Sequence, residues 1–403
     1  MILKTAWRNI WRHRMRSLAI AGAVAIGIWS GTSLMAFYFG MGEQRIQSGI
    51  EKEISHIQIH DIGFRNDFGM GRPIKEAERI ENRIAKNDSV YSYAFRTVAQ
   101  AMASSPSGSS GIQLTGIDPD PETRTTKLSE KLIKGAYLGD SIKNKVLVGE
   151  KLFKKLKLEI GRKLIITFND TSGELIAAAF KVTGVFKTAS EPYDERTVFV
   201  DRTILNRISG IQGAANEIAI LLKSNSMLDG FKQSLKSDFP YHRIEDWREI
   251  APELEFITVA IDRMLYVFMG IILLAIAFGI VNTMMMSILE RTRELGMLMA
   301  LGMSKGRIFS MIVSETLFLS LAGCPAGLIA SFVTIGYFHT NGLHLPQFEA
   351  TFRSFGYDPV VYPFLETSHY IRVLVMVLVT ALLSSLLPSR HALRIDPGVA
   401  IRK

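Results

Sequence analysis

Four long apolar stretches, one early in the chain and three in its last third, constrain the fold more than any other feature. They cover 18–40, 264–289, 308–338 and 370–388, and each approaches or exceeds the ~20 apolar residues that span a bilayer core. Between the first and second lies 41–263, a polar block of mixed composition long enough to bury a core of its own. The chain therefore reads as a membrane protein: four transmembrane helices with a large α+β extracytoplasmic domain between helices 1 and 2. A mean hydropathy of +0.18 with 48% hydrophobic residues fits a few spans plus a soluble part.

The net charge of +9 could suggest a nucleic-acid partner, but the cations cluster beside the apolar stretches. Lys4, Arg8, Arg12, Arg14 and Arg16 precede the first stretch. Arg291, Arg293, Lys305 and Arg307 separate the second from the third, and Arg390, Arg394, Arg402 and Lys403 follow the fourth. The 339–369 loop holds Arg353 as its only Lys or Arg. By the positive-inside rule both termini and the 290–307 loop lie in the cytoplasm, and 41–263 faces outward; no nucleic acid is expected as partner. Leu3, Trp7 and Trp11 recur on one face of 1–17 and Lys4, Arg8 and Arg12 on another, the pattern of a helix lying along the headgroups. The first stretch is long and lacks an A-x-A-like site, so it reads as an uncleaved anchor. The single cysteine, Cys324, falls in the third stretch, which leaves the exported block without a disulfide.

Within that block, alternation and turn residues predict strands at 55–60, 98–103, 112–117, 145–148, 163–169, 174–186, 196–200 and 217–222. Helices are expected over 74–86, 150–156 and 227–235, with one more capped by Asp201. A charged helix from Asp246 is expected to run unbroken into the second span, since no Gly or Pro falls between Pro252 and Gly270; that continuity would transmit tilt. Gly323, Pro325 and Gly327 predict a kink in the third span. Glu315, two turns inside from Arg307, is a candidate intramembrane functional residue. Its plainer and preferred reading is a carboxylate near the cytoplasmic interface, paired with Lys305, Arg307 or a neighbouring chain.

Enzyme chemistry finds no foothold. The dipeptide Gly-Lys never occurs, so there is no Walker A loop, and no histidine precedes a glutamate, which removes H-E-x-x-H. His56 and His60 on one strand face would stand ~13 Å apart, too far to share a metal.

The loop Glu290-Arg291-Thr292-Arg293-Glu294-Leu295-Gly296-Met297-Leu298-Met299-Ala300-Leu301-Gly302 has the pattern of a short helix, charged first, apolar later, and closed by Gly302. Periodicity alone leaves two roles open, docking in a partner's groove or lying back on the membrane. This string resembles the cytoplasmic loop of the FtsX-like/MacB-like permeases, membrane subunits of one class of ABC transporter. The resemblance extends over the whole chain, to a tail reading Pro388-Ser389-Arg390-His391-Ala392 through Asp396-Pro397. Trp7-Arg8-Asn9-Ile10-Trp11-Arg12 and His56-Ile57-Gln58-Ile59-His60 are most similar to transmembrane subunits of the lipoprotein-releasing system.

The resemblance implies that Glu290–Gly302 is a coupling helix docked on an ABC ATPase dimer. Glu290, Arg291, Arg293 and Glu294 fall in its polar part, with Arg291, Arg293 and Glu294 as its polar contacts. Leu295, Leu298 and Met299 would be its apolar anchors, and Gly296, Ala300, Leu301 and Gly302 complete it. ATP and Mg would then be bound by the partner ATPase and no cofactor by this chain. A second permease subunit, identical or paralogous, would complete the assembly in a bacterial inner membrane. The outer domain would comprise a core of 44–117 and 214–262 with 118–213 inserted. The family's working mode is mechanotransmission from ATPase to periplasmic domain. It implies release of lipoproteins for outer-membrane sorting, with MacB-like efflux of peptides or drugs, or signalling to cell-wall hydrolases, as alternatives. One type of lipoprotein-releasing subunit recruits a periplasmic carrier through a proline-containing hook. The corresponding hairpin here, 169–180, is short and proline-free, which argues against direct docking of such a carrier.

Overall fold

Long apolar runs with few breakers form four helices, Arg14–Gly49, Pro252–Glu290, Lys305–Asn341 and Thr367–Ala392, each long and apolar enough to cross a membrane. The computed structural model describes residues 14–64, 70–139, 144–211 and 215–394. The helix expected over 1–17, with Trp7 and Trp11, and the tail at Asp396-Pro397 fall wholly or mainly outside the described residues. The chain divides into two compact units: a membrane unit of 1–42, 258–344 and 360–403, and an outer unit of 43–257 with 345–359.

In the membrane unit, lipid-facing and core-facing side chains are equally apolar, so packing has to come from shape rather than from hydrophobic sorting. Small residues supply it. The third-span helix continues through Pro325, and its flanking glycines lie against the first-span backbone. A Cβ on Gly327 would meet the Ala25 carbonyl oxygen at 2.7 Å, and Gly323 abuts the Ala21 carbonyl. Farther along the same contact, the Thr32 and Ser331 hydroxyls meet at 2.6 Å and Trp29 donates to Thr334 at 2.9 Å. Ile20, Val24, Ile28, Ile280, Ile308, Met311, Ile312, Val377 and Ala381 fill the centre.

Among the described residues the outer unit holds ten strands: β1 (Ile57–Asp61), β2 (Val90–Ser105), β3 (Gly108–Ile117), β4 (Leu132–Gly135), β5 (Lys145–Gly149), β6 (Lys163–Asn169), β7 (Leu175–Phe186), β8 (Thr197–Asp201), β9 (Glu217–Leu222) and β10 (His242–Asp246). Their order is β10-β1-β9-β2-β3-β8-β5-β7-β4, with β6 bonded to both β2 and β7. That last pairing closes a ring, β2-β3-β8-β5-β7-β6 and back to β2. Alternation builds the barrel wall: Leu164, Ile166 and Phe168 of β6 point in, while Lys163, Ile165 and Asn169 point out. Closure leaves these strands without the open edges that invite aggregation. The other half of the sheet packs Ile57, Ile59, Ile218 and Ile220 under helices Ala77–Ala85 and Leu228–Asp238. β2 is common to both halves, its first part pairing with β9 and its second with β6. The β2–β3 hairpin also turns tighter than expected, at 105–108 rather than over 104–111.

Local chemistry fixes the ends. Asp201 caps helix Arg202–Ser209, accepting from the Thr203 and Ile204 amides. The helix expected from Asp246 is, by contrast, broken. Asp246 and Glu249 form a capping box around the single turn Trp247–Ile250, Ala251 leaves helical geometry at φ −127°, ψ 74°, and a new helix begins at Pro252. Proline at the first helical position disfavours helical geometry in the residue before it, and it has no amide hydrogen to bond back into the preceding turn. Continuity holds from Pro252 onward, through Glu290.

Arg96 organises the buried joint between β2, β9 and helix Pro119–Thr126. Its guanidinium donates to both oxygens of Glu122 at 2.9 and 2.8 Å and to Glu217 at 3.0 Å, all three groups being buried. Close by, the Lys131 amine reaches the Lys52 carbonyl at 3.2 Å, beside a π-helical turn, Ile50–Ile54, that ends the first long helix. Burial, reinforced by the charge on Lys52, pushes the Lys131 amine down to about 7. Because the folded state favours the neutral amine, this group's stabilising contribution is complete above the unfolded value of 10.5 and is lost as pH falls through about 7. Lys131→Met should therefore flatten the rise in thermal midpoint of the detergent-solubilised protein between about pH 7 and 10. An unchanged slope would show that another group carries it.

Candidate functional site

The 290–302 segment owes its placement to two helix ends. The second-span helix stops at Glu290 and Arg291 departs to φ −103°, ψ 15°, after which Thr292–Ala300 forms a separate helix. The Thr292 hydroxyl ties the two together by donating to the Ile288 and Leu289 carbonyls at 3.1 and 2.8 Å. At the far end Gly302 takes φ +90°, with its amide bonded to the Met299 carbonyl and that of Met303 to the Leu298 carbonyl. These two bonds make a Schellman closure, which a residue lacking Cβ adopts without strain. Lys305 then opens the third-span helix.

The short helix has two faces. Leu295, only 2% exposed, packs into the membrane-unit core, and Leu298, Met299 and Met303 lean on the same cluster. Gly296 is buried as well. On the opposite face Arg293 and Ala300 are exposed, Met297 is 45% exposed and Leu301 85%. Residues 293, 297, 300 and 301 follow i, i+4, i+7, i+8 spacing, one stripe of a helix. Glu290 and Gly302 are exposed at the two ends.

Arg291 does not face outward. Its Nη1 donates to both oxygens of Glu315 at 3.2 and 3.1 Å, and its Nε to Glu294 at 3.1 Å. The Arg291 side chain is 12% exposed and that of Glu315 8%. Three sequence expectations change accordingly. Glu315 pairs with Arg291, while Lys305 and Arg307 are exposed to solvent. Arg291 and Glu294 spend their polar groups inside this unit, so Arg293 is the outward-facing cation among the residues named as polar contacts. The apolar surface offered outward is that of Met297 and Leu301 rather than Leu295. Sequence reasoning passed over Met297. Its i+4 spacing from Arg293 and to Leu301 was the available signal, but periodicity defines stripes without saying which one points to solvent.

His56 and His60 are both buried and bonded within the outer unit. His56 Nδ1 accepts from the Leu222 amide at 3.1 Å, and burial pushes its imidazole down to about 4. His60 Nδ1 lies 2.9 Å from the Asn216 carbonyl and its ring stacks on Phe64. Among the described residues no group of His, Cys, Asp or Glu is arranged to hold a metal.

Comparison with known proteins covers both units. Residues 17–238, more than half of the chain, match the profile of the MacB-like periplasmic core domain, and 266–397 match that of the FtsX-like permease C-terminal region. The chain is 22% identical over 427 residues to the lipoprotein-releasing system transmembrane protein LolC of Neisseria meningitidis, covering 99% of this chain and 97% of that one. It is 23% identical to the macrolide export ATP-binding/permease protein MacB of a Shewanella species, covering 97% of this chain but 59% of the relative. With an uncharacterized ABC transporter permease of Methanocaldococcus jannaschii it shares 27% over 233 residues, 55% of each chain. The chain thus spans little more than half the length of two of these three relatives.

Proposed function

Because the chain belongs to the FtsX-like, MacB-like family of ABC transporter permeases, we propose that it is the membrane subunit of a transporter that releases lipid-anchored proteins from the outer leaflet of a bacterial inner membrane. In this reading both termini and the 290–307 loop lie in the cytoplasm and the outer unit in the periplasm, as the distribution of Lys and Arg suggests. A separate ATPase dimer binds ATP and Mg. It docks on the exposed stripe of Arg293, Met297, Ala300 and Leu301, whose mixed apolar and cationic surface suits a partner's groove. Closure of that dimer displaces the short helix and the long helices on either side of it. The second-span helix, which runs without a break from Pro252 to Glu290, carries the stroke toward the outer domain. A second permease, identical or paralogous, completes the substrate path.

The observation that supports the lipoprotein reading is the match with LolC, which runs along 99% of this chain and 97% of that one. The MacB-like profile of the outer unit favours a second reading, expulsion of peptides or drugs from the periplasm. Depletion of the protein followed by membrane fractionation tests both. Lipid-anchored proteins should accumulate in the inner membrane. Normal delivery to the outer membrane with raised drug susceptibility would instead establish efflux, and a cell-separation defect with both processes intact would point to control of cell-wall hydrolases.

A further inference from the structure

We propose that Arg291 is a positioning residue: clamped by Glu315 of the third span, it locks the short helix Thr292–Ala300 to two membrane helices at once. The inference rests on the docking role proposed above but concerns transmission rather than attachment.

The geometry motivates it. The short helix is joined by chain to the second span at Arg291 and to the third span through the turn at Gly302. Two chain connections alone would let a helix of nine residues roll about the line between its ends. A push on Met297 or Leu301 would then be absorbed as rotation. The Arg291–Glu315 bridge, with both oxygens of Glu315 at 3.1–3.2 Å from Nη1, adds a third fixed point on the inward face. Glu294, one turn into the short helix, bonds the same guanidinium through Nε. Arg291 thereby ties second span, short helix and third span together, and Leu295 seals the same face among Met284, Ile288, Met311 and Ile312. A force applied to the exposed stripe moves both spans as one body. The pair is largely shielded from water, so removing the Glu315 charge leaves the guanidinium with Glu294 alone on the inward face, which is more costly than losing a surface ion pair.

The test uses the full-length permease reconstituted in proteoliposomes with its co-purifying ATPase. Glu315→Gln keeps the shape and removes the charge. It should leave the ATPase bound in pull-down, because the exposed stripe is untouched, while permease-dependent stimulation of ATP hydrolysis falls by roughly tenfold or more. A spin label at the exposed position 300 should gain mobility. The charge exchange Arg291→Glu with Glu315→Arg, made together with Glu294→Gln so that no carboxylate faces the new glutamate, should recover most of the stimulation and immobilise the label. Unchanged stimulation in Glu315→Gln, loss of the ATPase in that variant, or failure of the exchange to recover would each overturn the proposal. Leu301→Asp separates this outcome from failure of the docking reading: if the ATPase remains bound to that variant, it is the docking surface that has been misassigned.

Discussion

If the ATPase docks on the proposed stripe, Leu301→Asp should free it from the solubilised permease while the variant still inserts in the membrane. Leu301 is 85% exposed on the described chain, so an aspartate there meets water and disturbs no internal packing. In the docked state it would bring an unpaired charge into an apolar groove. Burying a leucine is worth about 1.5–3 kcal/mol, and desolvating a carboxylate without a partner adds to that loss. Together they predict a drop in affinity of about a hundredfold or more. Pull-down in detergent, with membrane insertion checked by fractionation, measures it. Leu295→Asp would not serve: at 2% exposure it would disrupt the membrane unit before reporting on any partner. An ATPase retained by the Leu301 variant at wild-type level would place docking elsewhere.

Arg96→Ala collapses the outer domain and spares the spans. The substitution leaves Glu122, with no exposed surface, and Glu217, at 4%, facing each other without their shared cation. Removing one member of such a network costs about 3–5 kcal/mol, a large share of the ~5–15 kcal/mol that holds a domain folded. Limited proteolysis of the full-length protein at growth temperature should cut within 43–257 and leave the long helices protected. Combining Arg96→Met with Glu122→Gln and Glu217→Gln should be milder, because no buried charge is then stranded. Wild-type protease resistance in Arg96→Ala would mean that water reaches the site and screens it.

Both predictions depend on contacts that sequence patterns could not supply. The four long helices were legible from run length alone, and Asp201 as a cap and Gly302 as a terminator from local chemistry. The break at Ala251 is also local: Pro252 itself marks it, and the absence of Gly and Pro between Pro252 and Gly270 speaks only for the helix that follows. The partner of Glu315 was not legible. Arg307 is eight positions away along the chain and Arg291 is 24, and only the return of the third span past the end of the second brings Arg291 within 3.1 Å.

The sequence by itself determined the four long apolar runs that can cross a bilayer, which loops carry the cations, and where most of the strands lie, because these follow from run length, charge and period within a few neighbouring residues. Tertiary structure alone decided that β6 closes a ring with β2, that Arg96 is shared by Glu122 and Glu217, and that Leu295 turns inward while Met297 and Leu301 face out. A helical stripe or an alternating strand states only that two faces differ. Which face is covered, and by what, depends on segments distant in the chain competing for the same surface, and that competition is resolved only when the whole chain packs.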